Sequence, residues 1–597
     1  MSRFFILFLI CLMSTTDSVC RTTIVVKNQT EFDRLQEKLT NTIKSGKKNI
    51  YVKLMPGTYI AKEQHILLKD IKAAGTKINI QGNNSILVPS GKEYFDGDVY
   101  QGVFSVDNSW MSGAEDMETW SYVRYADSLI EILDAEKKRC RLKCKNSFPP
   151  NTDFNNAYIL IPHWFKSSIY KIDKIEGQYI YFSANDLKTS RFGGYNVNDD
   201  HNYGKKQIRY KLCNVDLGED YFRITKGRVR LPKGVASVRE GLTHNFVAIR
   251  NCKFASVDIE GIQFRGNAYK ESSYAISIKR TECKNIRIRR CSFRGMRGNV
   301  ISISGSPNVR IDNNRFEECY RYGIRSSNES VNTVVENNYF ESMGKAMVNT
   351  KCVRCQGTNY RVSDNIFINF GYGGISTGVV YNSKMTHPCS GVIENNDLSF
   401  DQDYLKHIDN YGIMDGGAIY IGTRNDHIVV RKNHIHGFSG ALSNRGIFCD
   451  DGAYNIEIYG NVITDIANSW CIDSRRVKKV ERSNSPESLV DRANVNIVIR
   501  DNVVDGGIRF EAHEDLDNGC VKGANYILQA KNEKLPKMTI NNVNNAEDDI
   551  VLEYTGMKER KTSLSAQSYR LLKRNKNQRA TRSHFVNYNR SEEVQIH

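Results

Sequence analysis

Apolar and polar positions along this chain fall into a short phrase that recurs. Each copy is a β-branched or apolar run, a polar position that is most often Asn, and a further apolar position one or two residues later. From the second copy onward, the final positions of the copies are 23 to 41 residues apart. The copies are Ile249–Phe254, Ile288–Phe293, Ile311–Phe316, Val335–Phe340, Val362–Phe367, Ile393–Leu398, Val430–Ile435, Ile458–Ile463 and Ile499–Val504.

The shortest of these intervals is the length of one β-helix coil, which is three short strands joined by turns, and the longer intervals fit coils that carry loops. Asn suits the turn because it tolerates left-handed backbone geometry, and Asn side chains on successive coils can hydrogen-bond as a ladder. The apolar positions on either side would point inward. Leucine-rich and propeller repeats are not found in the sequence. The pattern predicts an all-β protein built on a right-handed, single-stranded parallel β-helix.

The presence or absence of this repeat divides the chain into segments. An amphipathic helix near residues 31–44 is expected to cap the open core. Further on, the turn Asn disappears and aromatic-rich alternating strands predict an inserted β-sandwich or barrel. The predicted segments are a signal peptide at 1–19, the cap and first coils at 20–90, the insertion at 91–237, the β-helix with an active-site groove at 238–534, and last strands with a basic, disordered tail at 535–597.

The N-terminus has the pattern of a secretory signal. Arg3 is followed by an apolar run of about ten residues that ends near Met13, too short to span a bilayer. A lipoprotein at Cys20 is disfavoured, because Asp17–Val19 is a poor small-residue lead-in. No later segment is apolar over the ~18 residues that a membrane span requires. We expect a monomer that is secreted, periplasmic or attached to the cell surface.

The chain carries a formal charge of +17, with 84 Lys and Arg against 67 Asp and Glu. Part of this excess is local, since the segment from Gly556 onward holds ten Lys and Arg against three acids. A positive field would favour an anionic glycan, although a solvated surface fits equally well. Nucleic acid would match the charge, but export argues against it. The expected partner is a polysaccharide or oligosaccharide.

Most of the 15 cysteines lie inside apolar stretches, where they are expected to be small buried hydrophobes. Cys352 and Cys355 form a lone C-x-x-C without a second pair at zinc spacing. A disulfide within this pair, or between Cys140 and Cys144, is an alternative in an oxidising compartment. We predict no metal site and no cofactor, and leave open a structural or substrate-bridging Ca²⁺.

Acidic, histidine and glycine residues are densest in two consecutive coils, Asp415–Tyr420 and Arg445–Ala453, joined by Asn433–Gly437. Equivalent residues on stacked coils are about 4.8 Å apart. Carboxylates on neighbouring coils can therefore reach the separations of glycoside hydrolysis, roughly 5 Å for retention and roughly 6.5 to 9.5 Å for inversion. Adjacent acids also repel one another, which raises the pKa of one of them as an acid catalyst needs. The predicted catalytic residues are Asp415, Asp450 and Asp451.

Other side chains of these coils are candidates for substrate binding, and each has a plainer alternative. Two histidines spaced two apart on a strand share one face, where they line a groove more often than they bind metal. Aromatic rings stack on sugars or pack in the core, and arginines bind a uronate or are merely solvated. Asp450–Gly452 is by itself also a plain turn. The predicted substrate-binding residues are His434, His436, Tyr420, Arg445, Tyr454 and Trp470.

The coil Gly416–Tyr420, followed by Arg445–Gly452, resembles the pectate-lyase-like superfamily of β-helix carbohydrate enzymes. Within it the likeness is to glycoside hydrolase family 141, whose members show a similar Gly-Gly-Ala-Ile-Tyr coil, an Asp-Asp-Gly coil after it and an insertion near the N-terminus. The likeness covers most of residues 45–530. It implies catalytic carboxylates at Asp415 and at Asp450 or Asp451, and activities such as those of a fucosidase or xylanase on plant-type glycans.

Three functions are compatible with the sequence. The first is an exported glycoside hydrolase that cleaves a plant-type or acidic glycan with paired Asp carboxylates. The second is a polysaccharide lyase, since β-elimination needs only a base and a charge neutraliser near a uronate. The third is a non-catalytic glycan-binding or adhesion solenoid, in which the Asp cluster is only a turn. The motif set of a polygalacturonase is not found.

Overall fold

The computed structural model describes residues 21–530 and 550–554, with internal gaps. The gaps are 102–109, 113–120, 122–123, 129, 163–166, 185–186, 189–190, 193–194, 197–208, 219, 269–271, 328, 345–349, 379–388, 402–415, 423–424, 439–444, 451–452, 467–469, 475–494, 505, 511–520 and 523–524. The predicted signal peptide and most of the predicted basic tail lie outside the described residues. No helix in the described ranges is long and apolar enough to cross a membrane.

The main body is a parallel β-helix whose coils contribute strands to three faces, called here sheets 1, 2 and 3. Sheet 1 contains Arg21–Val26, Asn49–Leu54, Ile286–Arg289, Val309–Asp312, Val334–Glu336, Tyr360–Ser363, Cys389–Glu394, Asn425–Arg431, Tyr454–Tyr459, Val495–Arg500 and Val521–Lys522. Sheet 2 contains Thr58–Ala61, Ser292–Arg294, Arg315–Glu317, Tyr339–Met343, Ile366–Phe370, Asp397–Ser399, His434–His436, Val462–Ile463, Val503–Val504, Tyr526–Ala530 and Ile550–Tyr554. Two long strands run through both of these sheets, Lys72–Pro89 and Lys253–Arg265.

Sheet 3 is a separate sheet of 11 strands that closes the third side. Its strands are Ile66–Lys69, Asn245–Arg250, Tyr274–Lys279, Asn299–Ser304, Ile324–Ser326, Lys351–Cys355, Gly373–Thr377, Gly417–Ile421, Arg445–Cys449, Trp470–Ser474 and Gly507–Phe510. Each described coil therefore visits sheets 1, 2 and 3 in turn and pairs in parallel with the next coil. The fold class predicted from the repeat is confirmed.

Inward apolar side chains stack in columns along the axis, because parallel register places the same phrase position at the same point of every coil. The clearest column is a run of phenylalanines in sheet 2 whose successive ring centroids are 4.5 to 4.9 Å apart. Its members are Phe264, Phe293, Phe316, Phe340 and Phe367. The final apolar position of the phrase is therefore a core position, and its burial supplies the hydrophobic free energy of each coil.

The recurrent Asn forms a buried hydrogen-bond ladder at the turn from sheet 1 to sheet 2. In each rung the side-chain amide donates to the Oδ1 of the next Asn, at 2.9 to 3.0 Å. The same Oδ1 accepts the backbone N–H of the preceding rung, as Asn365 accepts from Asn338 at 2.9 Å. The ladder runs through Asn314, Asn338, Asn365, Asn396, Asn433, Asn461, Asn502 and Asn525.

The left-handed backbone at this turn belongs to the residue before the ladder Asn. Asn313, Asn337 and Asn395 have φ of 53 to 56°. Asp364 and Lys432 take the same conformation in other coils, with φ of 58° and 56°. The two adjacent polar positions of the phrase thus have different tasks, since one turns the chain and the other joins the coils.

Two helices cover the N-terminal end of the core. Helix α1 (Gln29–Asp33) begins at Asn28, whose side chain accepts the Glu31 backbone N–H at 3.0 Å. Helix α2 (Leu35–Lys44) buries Leu35, Leu39 and Ile43, which join the main hydrophobic cluster. The 3.6-residue spacing of these positions places them on one helical face, so that face seals the first coil.

An antiparallel region interrupts the solenoid before Asn245. Its largest sheet has seven strands in the spatial order Arg124–Tyr125, Arg209–Cys213, Tyr158–Pro162, Ser167–Glu176, Tyr179–Ser183, Arg139–Lys143 and Glu131–Asp134. Smaller sheets are formed by Leu187–Lys188, Arg191–Phe192 and Tyr195–Asn196, by Arg223–Thr225 and Arg228–Arg230, and by Glu93–Tyr94, Trp110–Ser112 and Val238–Gly241. One apolar cluster of this region includes Tyr320 of the solenoid, over whose ring Arg297 lies at 3.8 Å.

The described cysteines are buried. Cys352 and Cys355 belong to the main core cluster, and Cys140 and Cys144 belong to the core of the antiparallel region. They act as small hydrophobic side chains in these positions.

Replacement of Asn365 by Ala tests the ladder. Asn365 donates to Val335 O at 3.0 Å, Ser363 O at 2.9 Å and Asn396 Oδ1 at 2.9 Å. Because the change strands buried partners, we expect Asn365→Ala to lower the free energy of unfolding by about 2 kcal/mol or more. The check is the urea midpoint together with hydrogen-exchange protection in the adjacent coils.

The matched control is Asn359→Gly. Asn359 is exposed, and its side-chain amide donates to Asn332 Oδ1 at 2.6 Å. Its φ of 53° is one that Gly accepts without strain. Its loss should cost less than about 1 kcal/mol. Equal destabilisation by the two substitutions would contradict a register-setting role of the buried ladder.

Candidate functional site

The outer face of sheet 3 carries one continuous row of aligned side chains. Residues between the buried apolar positions point outward, and parallel pairing repeats them at about 4.8 Å along the axis. This set, called the outer row, consists of Ser277, Ser302, Arg325, Arg354, Ser376, Tyr420, Phe448, Asp473 and Arg509. This line therefore holds cations, hydroxyl groups and aromatic rings. Arg325, Arg354 and Arg509 are half-buried, whereas Ser376, Tyr420, Phe448 and Asp473 are buried.

A cavity of about 440 Å³ lies at the N-terminal end of this face. Its lining includes Ser277 and Ser302 of the outer row, and the cations Arg250, Lys279 and Arg280. These cations lie at the ends of sheet 3 strands or directly after them, because each strand passes there into the turn toward sheet 1. The cavity extends the positive character of the outer row by two coils.

Three cations surround the phenol of Tyr322 in the middle of the face. The guanidinium carbons of Arg325 and Arg354 are each 5.9 Å from its ring centroid, and Lys351 Nζ is 6.0 Å away. Lys351 Nζ also lies 4.2 Å over the ring of Tyr372. Burial alone would raise the pKa of Tyr322, but the positive charges of Lys351, Arg354 and Arg325 together lower it.

The pKa of the Lys351 amine is lowered as well. Burial lowers the pKa of Lys351, the Arg354 charge lowers it further, and the Tyr322 phenol opposes both. The pKa values of Lys351 and Tyr322 are thus both lowered.

Tyr420 and Asp450 meet at the corner between sheets 3 and 1. The Tyr420 hydroxyl donates to Asp450 Oδ2 at 2.6 Å. The Asp450 backbone N–H donates to Ile421 O at 2.9 Å, and its carbonyl accepts from Ala453 N–H at 3.0 Å. These bonds fix the half-buried carboxylate beside Tyr420 and Phe448 of the outer row.

Arg445 and Asp473 form a buried ion pair beside this corner. Asp473 is fully buried and accepts from Arg445 Nε, from Arg509 Nε at 2.7 Å and from Arg509 Nη2 at 2.5 Å. The Arg445 guanidinium also lies 4.0 Å from the ring centroid of Phe448, which is itself fully buried. These bonds to Asp473 hold Arg445 and Arg509 in place. Their role in the structure is to support this end of the sheet 3 face.

Trp470 is half-buried at the same end of the face. Gly507 of the next strand packs against its ring, since a Cβ at that position would lie 2.4 Å from the ring. Arg509 lies 5.5 Å from the ring centroid. One face of the indole is thus used for packing.

His434 and His436 lie on sheet 2 and form a cluster with Asp397. Asp397 pairs with His434 in the strand register. His434 Nδ1 is 3.4 Å from Asp397 Oδ2, and His436 Nε2 is 3.1 Å from Asp397 Oδ1. Burial, followed by the His436 charge, lowers the pKa of His434 to about 4. Burial tends to raise the pKa of Asp397, but the two histidines outweigh it and lower the pKa.

The predicted site residues therefore separate over three faces. Tyr420, Asp450, Arg445 and Trp470 lie together on sheet 3 or at its edge. The two histidines lie on sheet 2, and Tyr454 begins a sheet 1 strand with 44% exposure. Asp415 and Asp451 lie outside the described residues, so the predicted catalytic pairing stays a prediction.

Several residues with functional chemistry were missed from the sequence. Arg325 and Arg354 occupy one position of successive sheet 3 strands, and their Ile-Arg-Ser and Val-Arg-Cys contexts align. Asp397 occupies the same phrase position as His434, directly after the ladder Asn of its coil. Alignment of the two strand contexts would have found the arginine pair, and alignment of the phrases would have found Asp397 beside His434. Tyr322 has no such signal, because it precedes its strand.

Residues 240–387 match the protein family described as "Right handed beta helix region". The solenoid is a right-handed parallel β-helix. No curated protein sequence matches the chain. The handedness predicted from the repeat is thus confirmed, while the specific likeness to glycoside hydrolase family 141 stays a prediction.

Among solved structures, the right-handed β-helix is similar to one described as "Glycoside hydrolase", with a TM-score of 0.49, 11% identity, and coverage of 81% of this chain and 94% of that one. The tailspike of E. coli bacteriophage HK620 in complex with a pentasaccharide gives 0.37, 9%, 88% and 75% in the same order. The Gp54 tailspike of Acinetobacter baumannii bacteriophage AP22, in complex with a capsular saccharide, gives 0.21, 9%, 82% and 76%. At these scores and identities the likeness says nothing of activity.

The cationic part of the outer row predicts selective binding of acidic glycans. We expect the double change Arg325→Ala and Arg354→Ala to weaken binding of a polyuronate by about 10-fold or more at low salt, since each side chain removes one charged partner. Binding of a neutral glucan should be unchanged. Calorimetric titration at two salt concentrations checks this.

The control is Arg500→Ala, which removes a sheet 1 cation paired with Asp501 at 2.6 Å. It should leave polyuronate affinity unchanged. Equal loss in the control and the double variant would show that net charge, and not the outer row, determines the binding.

Proposed function

We propose that this chain is an exported carbohydrate-active enzyme that binds an acidic polysaccharide along the outer face of sheet 3 and hydrolyses it. The observation that carries the proposal is the set of half-buried cations and aromatic rings on that face, Arg325, Arg354, Lys351, Tyr322 and Trp470. It supplies the two contacts that an acidic glycan needs, since guanidinium and ammonium groups bind carboxylates or sulfates, and aromatic faces stack on sugar rings.

A contrast with sheet 1 supports the choice of sheet 3. Outward arginines of sheet 1 are neutralised by acids on adjacent coils. The pairs include Arg287 with Asp312 at 2.7 Å, Arg310 with Glu336, and Arg361 and Arg431 with Glu394 at 2.8 Å each. In sheet 3, Arg325, Arg354 and Lys351 lie beside the ring of Tyr322. Sheet 1 therefore combines arginines with acids, whereas the middle of sheet 3 combines cations with an aromatic ring.

Asp450 is the described carboxylate best suited to hydrolysis. It is half-buried, held by Tyr420, and located at the edge of sheet 3 directly after the strand Arg445–Cys449. Asp473 is unsuited, because Arg445 and Arg509 bind both of its oxygens and it has no exposed surface. The second carboxylate of the proposal is Asp415 or Asp451, at roughly 5 Å from Asp450 for a retaining enzyme or roughly 6.5 to 9.5 Å for an inverting one.

Tyr420 has a positioning role in this proposal. Its hydroxyl donates to Asp450 Oδ2 at 2.6 Å and so holds that carboxylate in one orientation. The orientation of its ring is fixed by Phe448, whose centroid is 5.6 Å away in an edge-on arrangement. His434, His436 and Tyr454 lie on other faces, so the subsite residues proposed here are Tyr420, Arg354, Lys351 and Trp470.

Replacement of Asp450 by Asn tests the hydrolase. We expect Asp450→Asn to lower kcat on an acidic polysaccharide by about 10² to 10⁴-fold, the contribution typical of a general acid or base, with little change in binding. The measurement is the rate of reducing-end release over a panel of uronate-containing and sulfated polymers.

Asp426→Asn provides the matched control, because Asp426 is an exposed carboxylate on sheet 1. Its rate should equal that of the unaltered chain. Hydrolysis that persists in Asp450→Asn would remove Asp450 from the mechanism. Binding without turnover on the whole panel would favour the glycan-binding solenoid.

A second candidate function, β-elimination, is favoured by the Tyr322 cluster. A lyase needs a base that removes the proton next to a uronate carboxyl group, and a cation that stabilises the resulting anion. The lowered pKa of Tyr322 suits a base, and Arg354 and Lys351 are placed to neutralise the uronate. Tyr322 is three coils, or about 14 Å, from Tyr420 along the axis.

This separation allows the two chemistries to be distinguished. In a lyase, Tyr322→Phe should lower formation of the unsaturated, ultraviolet-absorbing product by about 10² to 10⁴-fold, while Asp450→Asn retains it. Tyr51→Phe, on sheet 1, is the control that should retain the rate. Products that all lack the unsaturated bond would exclude the lyase.

A further inference from the structure

The cluster of Asp397, His434 and His436 on sheet 2 is not used by either proposed chemistry. The three residues come from two adjacent strands, Asp397–Ser399 and His434–His436. They belong to the outward side of sheet 2, since the intervening Leu398 and Ile435 are core residues. All three are nevertheless buried, with exposures of 8%, 5% and 7%.

The geometry of the cluster matches a coordination sphere. One ligand atom from each residue lies within 4.8 Å of the others. The distance of 3.4 Å from His434 Nδ1 to Asp397 Oδ2 is long for a hydrogen bond, which is typically about 2.7 to 3.2 Å. This 3.4 Å distance is close to the spacing of about 3.3 Å expected between two ligand atoms of a tetrahedral ion whose metal bonds are about 2.0 to 2.1 Å long.

The strand geometry also holds the donors rigidly. His434 and His436 are two residues apart, so both imidazoles project from the same face of one strand. Their rings stack at 4.1 Å with an interplanar angle of 27°. The backbone N–H of His434 donates to Asn396 O at 2.8 Å, and both flanking residues, Asn396 and Asn433, are rungs of the Asn ladder. The ligand positions are thus fixed by the most regular part of the fold.

We propose that Asp397, His434 and His436 bind a divalent first-row transition ion, with Zn²⁺ as the expected occupant. Two imidazole nitrogens and one carboxylate oxygen form a donor set that suits Zn²⁺ and related ions. Ca²⁺ and Mg²⁺ prefer sites made of oxygen ligands. Three protein ligands leave a further coordination position for water or another donor. The proposal is independent of the glycan chemistry of sheet 3.

The test uses the full chain, stripped of metal by a chelator and then titrated with Co²⁺. We expect one equivalent of Co²⁺ to give visible d–d absorption, and one equivalent of Zn²⁺ to displace it. His434→Ala, His436→Ala and Asp397→Asn should each weaken Co²⁺ binding by about 100-fold or more, since loss of a ligand exceeds the loss caused by outer-shell changes. Circular dichroism confirms that each variant is folded.

The matched control is His427→Asn. His427 is an exposed sheet 1 histidine with φ of 63°, a conformation that Asn tolerates. It should bind Co²⁺ as the unaltered chain does. Thiolate-to-cobalt charge-transfer bands in the near ultraviolet would report binding by cysteines and overturn the proposal.

Two further outcomes would also overturn it. One is the absence of a stoichiometric d–d signal in the unaltered chain, which would leave a hydrogen-bonded His-Asp-His cluster. The other is an unchanged signal in the ligand variants. If a variant does not fold, X-ray absorption of the zinc-loaded, unaltered chain decides the matter, because only nitrogen and oxygen ligands agree with this site. Failure of glycan cleavage has no bearing on these results.

Discussion

Register between coils is the constraint on which the rest of this structure depends, and the buried Asn ladder holds it. Each rung ties an Asn side chain to the backbone and side chain of the adjacent coil, so a shift of one residue would strand several buried donors and acceptors at once. Hydrophobic burial also disfavours a shift of one residue, but it discriminates less against a shift of two, because the apolar positions alternate. The polar ladder supplies that discrimination.

Fixed register turns single residues into columns, and the columns give each face its character. Sheet 2 begins with a stack of phenylalanines on its inner side, and sheet 1 carries ion pairs on its outer side. On sheet 3 the same alignment brings Arg325 next to Arg354, and Tyr420 next to Phe448. Chemistry can therefore be built from residues 28 or more positions apart without any special loop. In a β-helix, a side chain that points outward from one coil lies beside the equivalent side chain of the next coil.

The phrase predicted the coil, the turn and the ladder, because all three depend on local pattern and on identity at one position. It did not predict that the turn and the ladder would use neighbouring residues, as Asp364 and Asn365 do. Nor did it reveal which face a residue joins. His434 follows its ladder Asn directly and so lies on sheet 2, whereas Arg445 does not follow a ladder Asn and lies on sheet 3.

Burial was the least predictable property of the candidate site. Phe448 lies on the outer side of its strand, yet Arg445 covers it, and Asp473 is closed off by two arginines. Gly446 illustrates the same limit, since a Cβ there would lie 2.4 Å from Cys471 O. Such contacts depend on which residues stand in the next coil, and the interval between copies varies too much for the sequence alone to align them.

Burial of charge explains why this part of the chain is suited to function. Enclosing Asp473 and Arg445 is costly unless each finds its partner, and the two arginines on Asp473 meet that requirement. The cluster of Asp397 and two histidines is buried in the same way, with its carboxylate oxygens 3.4 and 3.1 Å from the imidazole nitrogens. A divalent cation held by these three ligands would neutralise the buried carboxylate, while sheet 3 remains available for a glycan.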